Sequence, residues 1–175
     1  LTTRGRKWVL QNVVLRDGGT VTGYFNYDAA TGAYLDANVT ATPGANGTGN
    51  WGIKPASFPW LYPVHGGITG DPVKAGGSTP SKLVLLNSYQ DPDNIERREF
   101  VYLRLMFSQP LTNAGGTVPL VIDPAAPVSP TCTVDPSCKF PPSTISFEGW
   151  DIPITTSTPP AHSYRLVIDG SVQAQ

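Results

Sequence analysis

Clustered oxygen-bearing side chains are the first candidates for chemistry in this sequence. Asp91, Asp93, Asn94 and Glu96 lie within one short segment, and such groupings in loops supply the oxygen ligands that Ca²⁺ prefers. The EF-hand spacing is not met, because there is no central glycine and the twelfth position from Asp91 is Tyr102. A turn in which Asp93 caps a short helical segment is the alternative. We therefore keep Asp91, Asp93 and Glu96 as candidate calcium ligands and predict no other cofactor.

Histidine and glutamate residues are too dispersed in the sequence to indicate catalysis. His65 and His162 lie in separate loops, and no nucleophile motif of the G-x-S-x-G kind accompanies either of them. The glutamates are Glu96, Glu99 and Glu148. Two carboxylates can flank a glycosidic bond in many folds, but no spacing in the sequence brings a pair of them together. We predict that the chain is not an enzyme.

The segment C-T-V-D-P-S-C contains both cysteines, Cys132 and Cys138, on either side of a proline. This spacing favours a small disulfide loop, which would stabilise the fold by about 2 kcal/mol through loop closure. Free thiols and a metal site are the alternatives, although a zinc site needs more ligands than the sequence provides nearby. A disulfide would indicate an oxidising compartment.

Large aromatic residues are scattered through the Pro- and Gly-rich segment 43–80, which we predict to be a long ordered loop. Exposed aromatic rings stack on sugars, so Trp51, Trp60 and Tyr62 are candidate glycan-binding residues. The alternative is that these side chains attach the loop to the domain, since each buried ring removes roughly 150–250 Å² from water. The first interpretation predicts a polysaccharide partner, and the second predicts a structural role.

Strands with two-residue alternation are the elements that must position these residues. Residues 20–28 and 34–41 each alternate between a more apolar and a more polar face, with a turn at 29–32 between them. The alternation in the second segment predicts that Leu35 faces the core and that Tyr34 faces the opposite side. The two segments therefore predict an antiparallel hairpin.

The whole chain, residues 1–175, is predicted to be one all-β domain. No segment has helical periodicity, and the natural packing of the strands is an antiparallel two-sheet sandwich of the jelly-roll type. Residues 124–142 are predicted to be a Pro-rich connector that contains the cysteine loop. About eight strands are expected, at 7–15, 20–28, 34–41, 82–89, 101–107, 118–123, 144–154 and 164–172.

Composition excludes several classes of partner. The net charge is −1, only 14% of residues are charged, and glycine and proline number 18 each, so we predict no nucleic-acid partner. No apolar run approaches the ~20 residues of a transmembrane helix. The chain begins at Leu1 and its one methionine is Met106. We therefore expect an extracellular or cell-surface protein from which a signal peptide has been removed.

Two glycine-rich signatures carry a resemblance to a known family. Residues 8–32 read W-V-L-Q-N-V-V-L-R-D-G-G-T-V-T-G-Y-F-N-Y-D-A-A-T-G, and residues 111–121 read L-T-N-A-G-G-T-V-P-L-V. With the cysteine pair that follows, they resemble small secreted bacterial proteins that often carry a C-terminal PEP-CTERM anchor. The resemblance implies secretion and carries over no catalytic residue. Because the chain ends in S-V-Q-A-Q, we expect that an anchor was removed or that this member is released.

Strong strand-forming segments near both ends of the chain suggest self-association. A terminal strand can leave its own sheet and complete that of a neighbour, and head-to-tail repetition of such a contact gives a filament. We therefore expect a non-catalytic structural or surface protein whose partners are copies of itself. The alternatives are a carbohydrate-binding module and strands that pair within their own domain. The candidate assembly residues are Trp8, Leu10, Val14, Tyr164, Leu166 and Ile168.

Overall fold

The structure of the chain is a computed structural model that describes part of the sequence. The described residues are 5–45, 56–57, 60–61, 78–91, 94–127, 131–132, 141–152 and 161–175. Within them, 56–57, 60–61, 86–91, 94–101, 131–132, 150–152 and 161–162 are described by their backbone alone. No helix that is long and apolar enough to cross a membrane occurs in these ranges.

Eleven antiparallel strands make up the regular structure of the described residues, and the predicted all-β class is confirmed. Eight of the strands have three or more residues. Along one hydrogen-bonded sheet the order is β4-β3-β2-β1-β11-β10-β7-β6-β5, and β8 and β9 also pair with β11. The strands are β1 (Arg6–Leu15), β2 (Thr20–Asp28), β3 (Ala33–Ala41), β4 (Ala56–Ser57), β5 (Trp60–Leu61), β6 (Lys82–Asp91), β7 (Asn94–Met106), β8 (Thr117–Pro119), β9 (Thr131–Cys132), β10 (Phe147–Ile152) and β11 (Ala161–Ala174).

The last strand joins the two halves of the sheet. Residues 161–166 of β11 pair with β10, and residues 167–174 pair with β1. The sheet curls, so that side chains of both halves meet in one main core: Trp8 and Phe25 come from the first half, Leu85 and Leu105 from the second. A curled sheet buries one continuous apolar face without needing a second layer of helices.

The second half of the sheet is buried on its other face as well. There Val84, Tyr102 and Leu166 belong to a smaller outer core, which Ala126 and Ile145 of the adjoining loops cover. Both faces of β6, β7 and β11 are therefore apolar, as expected for strands that are covered on two sides. A charged side chain on these strands must find a partner inside the protein.

A bulge in β3 reverses the predicted orientation of two side chains. Asn26 pairs with Asp36, but the next residue, Tyr27, pairs with Tyr34, so Leu35 is the extra residue. Such a residue leaves the ladder and changes the face on which its neighbours lie. Leu35 is consequently 56% exposed, while the Tyr34 ring packs 4.6 Å from that of Tyr27, centroid to centroid. The prediction from simple alternation was wrong at these two positions.

Alanine substitutions on either side of the bulge test this assignment. Tyr34→Ala removes a ring that packs against the main core and a hydroxyl that donates to the Thr79 carbonyl oxygen at 2.8 Å, so we expect a loss of about 3 kcal/mol in the free energy of unfolding. Leu35→Ala, the matched control, should cost less than about 0.5 kcal/mol. Urea denaturation measures both, and a larger loss for Leu35→Ala would contradict the bulge.

Candidate functional site

The two terminal strands lie side by side in the middle of the sheet. β1 pairs with β2 along one edge and with β11 along the other, so that Trp8 is opposite Ala174 and Leu15 is opposite Val167. Both edges of β1 are therefore hydrogen-bonded within its own chain. In this single chain the first and last strands pair with each other, and their pairing with a neighbouring molecule stays a prediction.

The candidate assembly residues divide into two groups. Trp8, Leu10, Tyr164 and Leu166 are buried, whereas Val14 and Ile168 are half-buried. Trp8 and Leu10 belong to the main core, and Tyr164 and Leu166 belong to the outer core. Any exchange of β1 between molecules must therefore remove Trp8 and Leu10 from one core and insert them into an equivalent one.

A short turn, residues 16–19, is the link between β1 and β2. Its backbone closes with a hydrogen bond from Leu15 N to Gly19 O at 2.7 Å, and the Asp17 carboxylate accepts from Gly19 N at 3.0 Å. The Arg16 guanidinium donates to the carbonyl oxygens of Pro124 at 2.6 Å and Ala126 at 3.0 Å. The turn is thus held by side chains that reach other parts of the chain.

Arg165 connects this turn to the sheet interior. It lies on β11 opposite Glu148 of β10, and its Nε donates to Glu148 Oε2. Its Nη1 donates to Asp17 Oδ2 at 3.1 Å and to the Thr42 carbonyl oxygen at 2.9 Å. We call Asp17, Glu148 and Arg165 the Arg165 trio. The side chains of Arg165 and Glu148 are 2% and 0% exposed, and that of Asp17 is 15% exposed.

Two glycines provide the space that the Arg165 trio needs. A Cβ atom at Gly44 would lie 2.1 Å from Asp17 Cγ, and one at Gly19 would lie 2.6 Å from the Thr42 carbonyl oxygen and 2.7 Å from Arg165 Nη1. Any larger residue would displace the carboxylate or the guanidinium. Glycine at these positions therefore follows from close approach of the backbone to a buried ion pair.

The surroundings of the trio disfavour the ionised form of one carboxylate, that of Glu148. Burial raises the pKa of Glu148 to about 7, and the nearby Asp17 carboxylate acts in the same direction, against the effect of Arg165. Glu148 Oε1 accepts no hydrogen bond from the described residues. One guanidinium thus serves two carboxylates, and one of the four carboxylate oxygens receives no donor from this part of the protein.

Comparisons with known proteins do not indicate a function for the chain, so its function is inferred from the geometry of the strands and of the Arg165 trio. No family model, curated protein or solved structure matches the chain. What the Arg165 trio can do chemically is limited by its burial, because a substrate cannot reach Glu148 or Arg165 without opening the sheet. It can hold the turn in place, and it can exchange a proton at Glu148.

Several residues predicted from the sequence lie outside what the structure describes. Of the candidate glycan-binding residues, Trp51 and Tyr62 are outside the described ranges, and Trp60 contributes only its backbone, which pairs in β5 with Leu86. Asp93 and Cys138 are also outside those ranges. Asp91, Glu96 and Cys132 are described only as strand backbone. Glycan binding, calcium binding and the disulfide therefore remain predictions.

Sequence analysis did not identify Asp17 or Arg165, and it considered Glu148 only as a catalytic acid. The available signal was a charged residue within an apolar strand, in Y-R-L-V-I for Arg165 and in S-F-E-G-W for Glu148. Such residues are rarely buried without a partner. Two opposite charges inside apolar strands therefore indicate a buried ion pair, although the sequence does not reveal that Asp17 completes it.

Replacement of Arg165 tests how strongly the trio stabilises the fold. Arg165→Met leaves two carboxylates near a buried site without their cation, so we expect a loss of about 3–5 kcal/mol in the free energy of unfolding. Adding Glu148→Gln should recover part of it, with a coupling energy of about 2 kcal/mol in a double-mutant cycle. Lys7→Met, at an exposed position of β1, is the control and should cost less than about 1 kcal/mol. Additive effects in the cycle would contradict direct pairing.

Proposed function

We propose that this chain is a non-catalytic structural or surface protein that acts outside the cell by associating with copies of itself. The association proceeds by exchange of the N-terminal strand: β1 of one copy fills the place of β1 in the next. Repeated in one direction, this exchange produces a filament or a layer. The observation that carries the proposal is the position of β1, which is hydrogen-bonded to β2 on one edge and to β11 on the other.

The position of β1 favours exchange for a physical reason. Its partners β2 and β11 do not pair with one another, so a departing β1 leaves a gap that only an equivalent strand can fill with the same hydrogen bonds and side chains. Only residues 16–19 separate β1 from β2, and a short hinge of this kind invites swapping. The hydrogen bonds and packing that β1 makes in a second copy equal those that it makes in its own, so the equilibrium is set by concentration and by the hinge.

The remaining features of the proposal come from the sequence. Low charge, abundant turn residues and the cysteine pair suit an extracellular protein, and the glycine-rich signatures resemble those of secreted bacterial proteins. We further propose that the curled sheet corresponds to a two-sheet, jelly-roll-like sandwich. The burial of Glu148 and Arg165 supports a role of the trio without catalysis, because a substrate cannot reach either side chain in the closed sheet.

An engineered disulfide distinguishes exchange from pairing within one chain. Val9 of β1 is opposite Gln173 of β11, and neither is fully buried. The Cα atoms of opposed residues in antiparallel strands are close enough for a disulfide. We expect Val9→Cys/Gln173→Cys, assembled at high concentration and then oxidised, to give a ladder of covalent multimers on a non-reducing gel, because each bond joins two chains.

The matched control is Thr22→Cys/Thr40→Cys, which joins opposed residues of β2 and β3. Those strands stay together when β1 is exchanged, so its oxidised product should run as a monomer. Both variants retain Cys132 and Cys138, and a ladder that came from these cysteines would be seen in both. A monomer band alone from Val9→Cys/Gln173→Cys, in a sample that contains assemblies, would contradict exchange of β1.

A further inference from the structure

We propose that the Arg165 trio is a proton-operated latch on the turn between β1 and β2, closed when Glu148 is neutral and loosened when Glu148 is ionised. The inference rests on the proposed function, because this turn is the hinge that strand exchange must open. It adds the condition under which the hinge opens.

The geometry of the latch follows from where its three members lie. Asp17 is part of the hinge, whereas Arg165 and Glu148 belong to the strands that remain when β1 leaves. The only charged contact described between the hinge carboxylate and the sheet interior is the pair Asp17–Arg165. Around it, Asp17 O accepts from Ala45 N at 2.8 Å, and Arg16 N donates to Leu166 O at 2.8 Å. Weakening the Asp17–Arg165 ion pair therefore loosens the turn at residues 16–19, which must extend when β1 is exchanged.

The charge balance of the trio differs between the two protonation states. With Glu148 protonated, one guanidinium faces one carboxylate, Asp17, and the buried charges cancel. With Glu148 ionised, two carboxylates share the same guanidinium and the trio carries a net negative charge, which water screens only at the partly exposed Asp17. Asp17 is the only member with appreciable exposure, at 15%, so its movement toward solvent relieves the repulsion. That movement breaks the Asp17–Arg165 ion pair and releases the turn from the sheet.

In the described part of the structure, Arg165 and Asp17 are the charged groups that act on the pKa of Glu148. From β11 it faces Arg165, and from the turn it faces Asp17. Its opposite residue on β7 is Leu103, which is uncharged. The neighbouring Arg104 points to the other face of the sheet, where its guanidinium lies over the ring of Phe147. The response to pH is therefore assigned to Glu148 and its two trio partners.

The direction of the pH effect follows from proton linkage. The pKa of Glu148 is about 7 in the closed protein, against an ordinary value of 4.5 when the carboxyl is exposed. The closed state therefore binds the proton more tightly, and its advantage is lost as the pH rises through about 7. Between pH 6 and pH 8 the equilibrium constant for opening should therefore increase, by about tenfold where opening of the turn exposes the Glu148 carboxyl fully to water.

Hydrogen exchange of the β1 amides measures this opening directly. The protein is compared at pH 6 and pH 8 by mass spectrometry, with rates corrected for the intrinsic chemistry of exchange and with peptides that cover residues 6–19. We expect about a tenfold loss of protection at pH 8 in β1. In Glu148→Gln, where the side chain is neutral throughout, protection should be equal at the two pH values.

Two further variants keep the test interpretable. Asp36→Asn, at an exposed position of β3, is the matched carboxylate-to-amide control and should retain the wild-type pH response. Asp17→Asn removes the competing carboxylate and the ion pair that ties the turn to Arg165, so its response between pH 6 and pH 8 should be smaller than that of the wild type. This variant keeps the test usable even if Glu148→Gln folds poorly. Equal protection at both pH values in the wild type, or an unchanged response in Asp17→Asn, would overturn the latch.

The cross-linking test separates this inference from the proposed function. A ladder from Val9→Cys/Gln173→Cys that forms about tenfold faster at pH 8 than at pH 6, after correction for thiolate formation with the Thr22→Cys/Thr40→Cys variant, supports both. A ladder that forms at the same corrected rate overturns the latch and leaves strand exchange intact. Protection that depends on pH without any ladder supports the latch and overturns strand exchange.

Discussion

One buried guanidinium, that of Arg165, constrains the structure around it. A charge in this position is tolerated only where ionised and polar groups surround it, and here they come from three separate parts of the chain: Glu148 on β10, Asp17 in the first turn, and the Thr42 carbonyl group after β3. The requirement is met by the register of β10 on β11, which places Glu148 opposite Arg165, and by the first turn, which lies against the last strand. It also favours glycine at positions 19 and 44, where a Cβ atom would collide with the trio.

The same strand that carries Arg165 also holds the two halves of the sheet together. β11 pairs with β10 over its first residues and with β1 over its last, so the closing contacts of the fold join the two ends of the sequence. Pairings of such long sequence separation form late and slowly. Slow pairing of β1 with β11 would give a neighbouring copy time to supply the missing strand, and this is the topological argument for the strand exchange that we propose.

Much of the local structure was predictable, and the exceptions have definite physical causes. Regular alternation and turn glycines located β2 and most of β3, because both signals are local. The Leu35 bulge was not predictable, since it depends on which side chain, Tyr34 or Leu35, fits beside Phe25 and Tyr27 in the finished core. Buried charges at Arg165 and Glu148 were visible as unusual residues in apolar strands. Their third partner, Asp17, is separated from them by most of the chain, and only the topology brings it near.

The most direct measurement is a carbon-detected NMR titration of the Glu148 side-chain carboxyl, assigned by comparison with Glu148→Gln. Because the carboxyl is buried, and because the Asp17 carboxylate shares its guanidinium, it should titrate near pH 7, well above the value of an exposed glutamate. In Asp17→Asn, the pKa should fall as the competing charge is removed. A Glu148 carboxyl that titrates at or below pH 4.5 in the wild-type protein would mean that the ion pair is fully satisfied in the closed fold, and the trio could not act on the hinge.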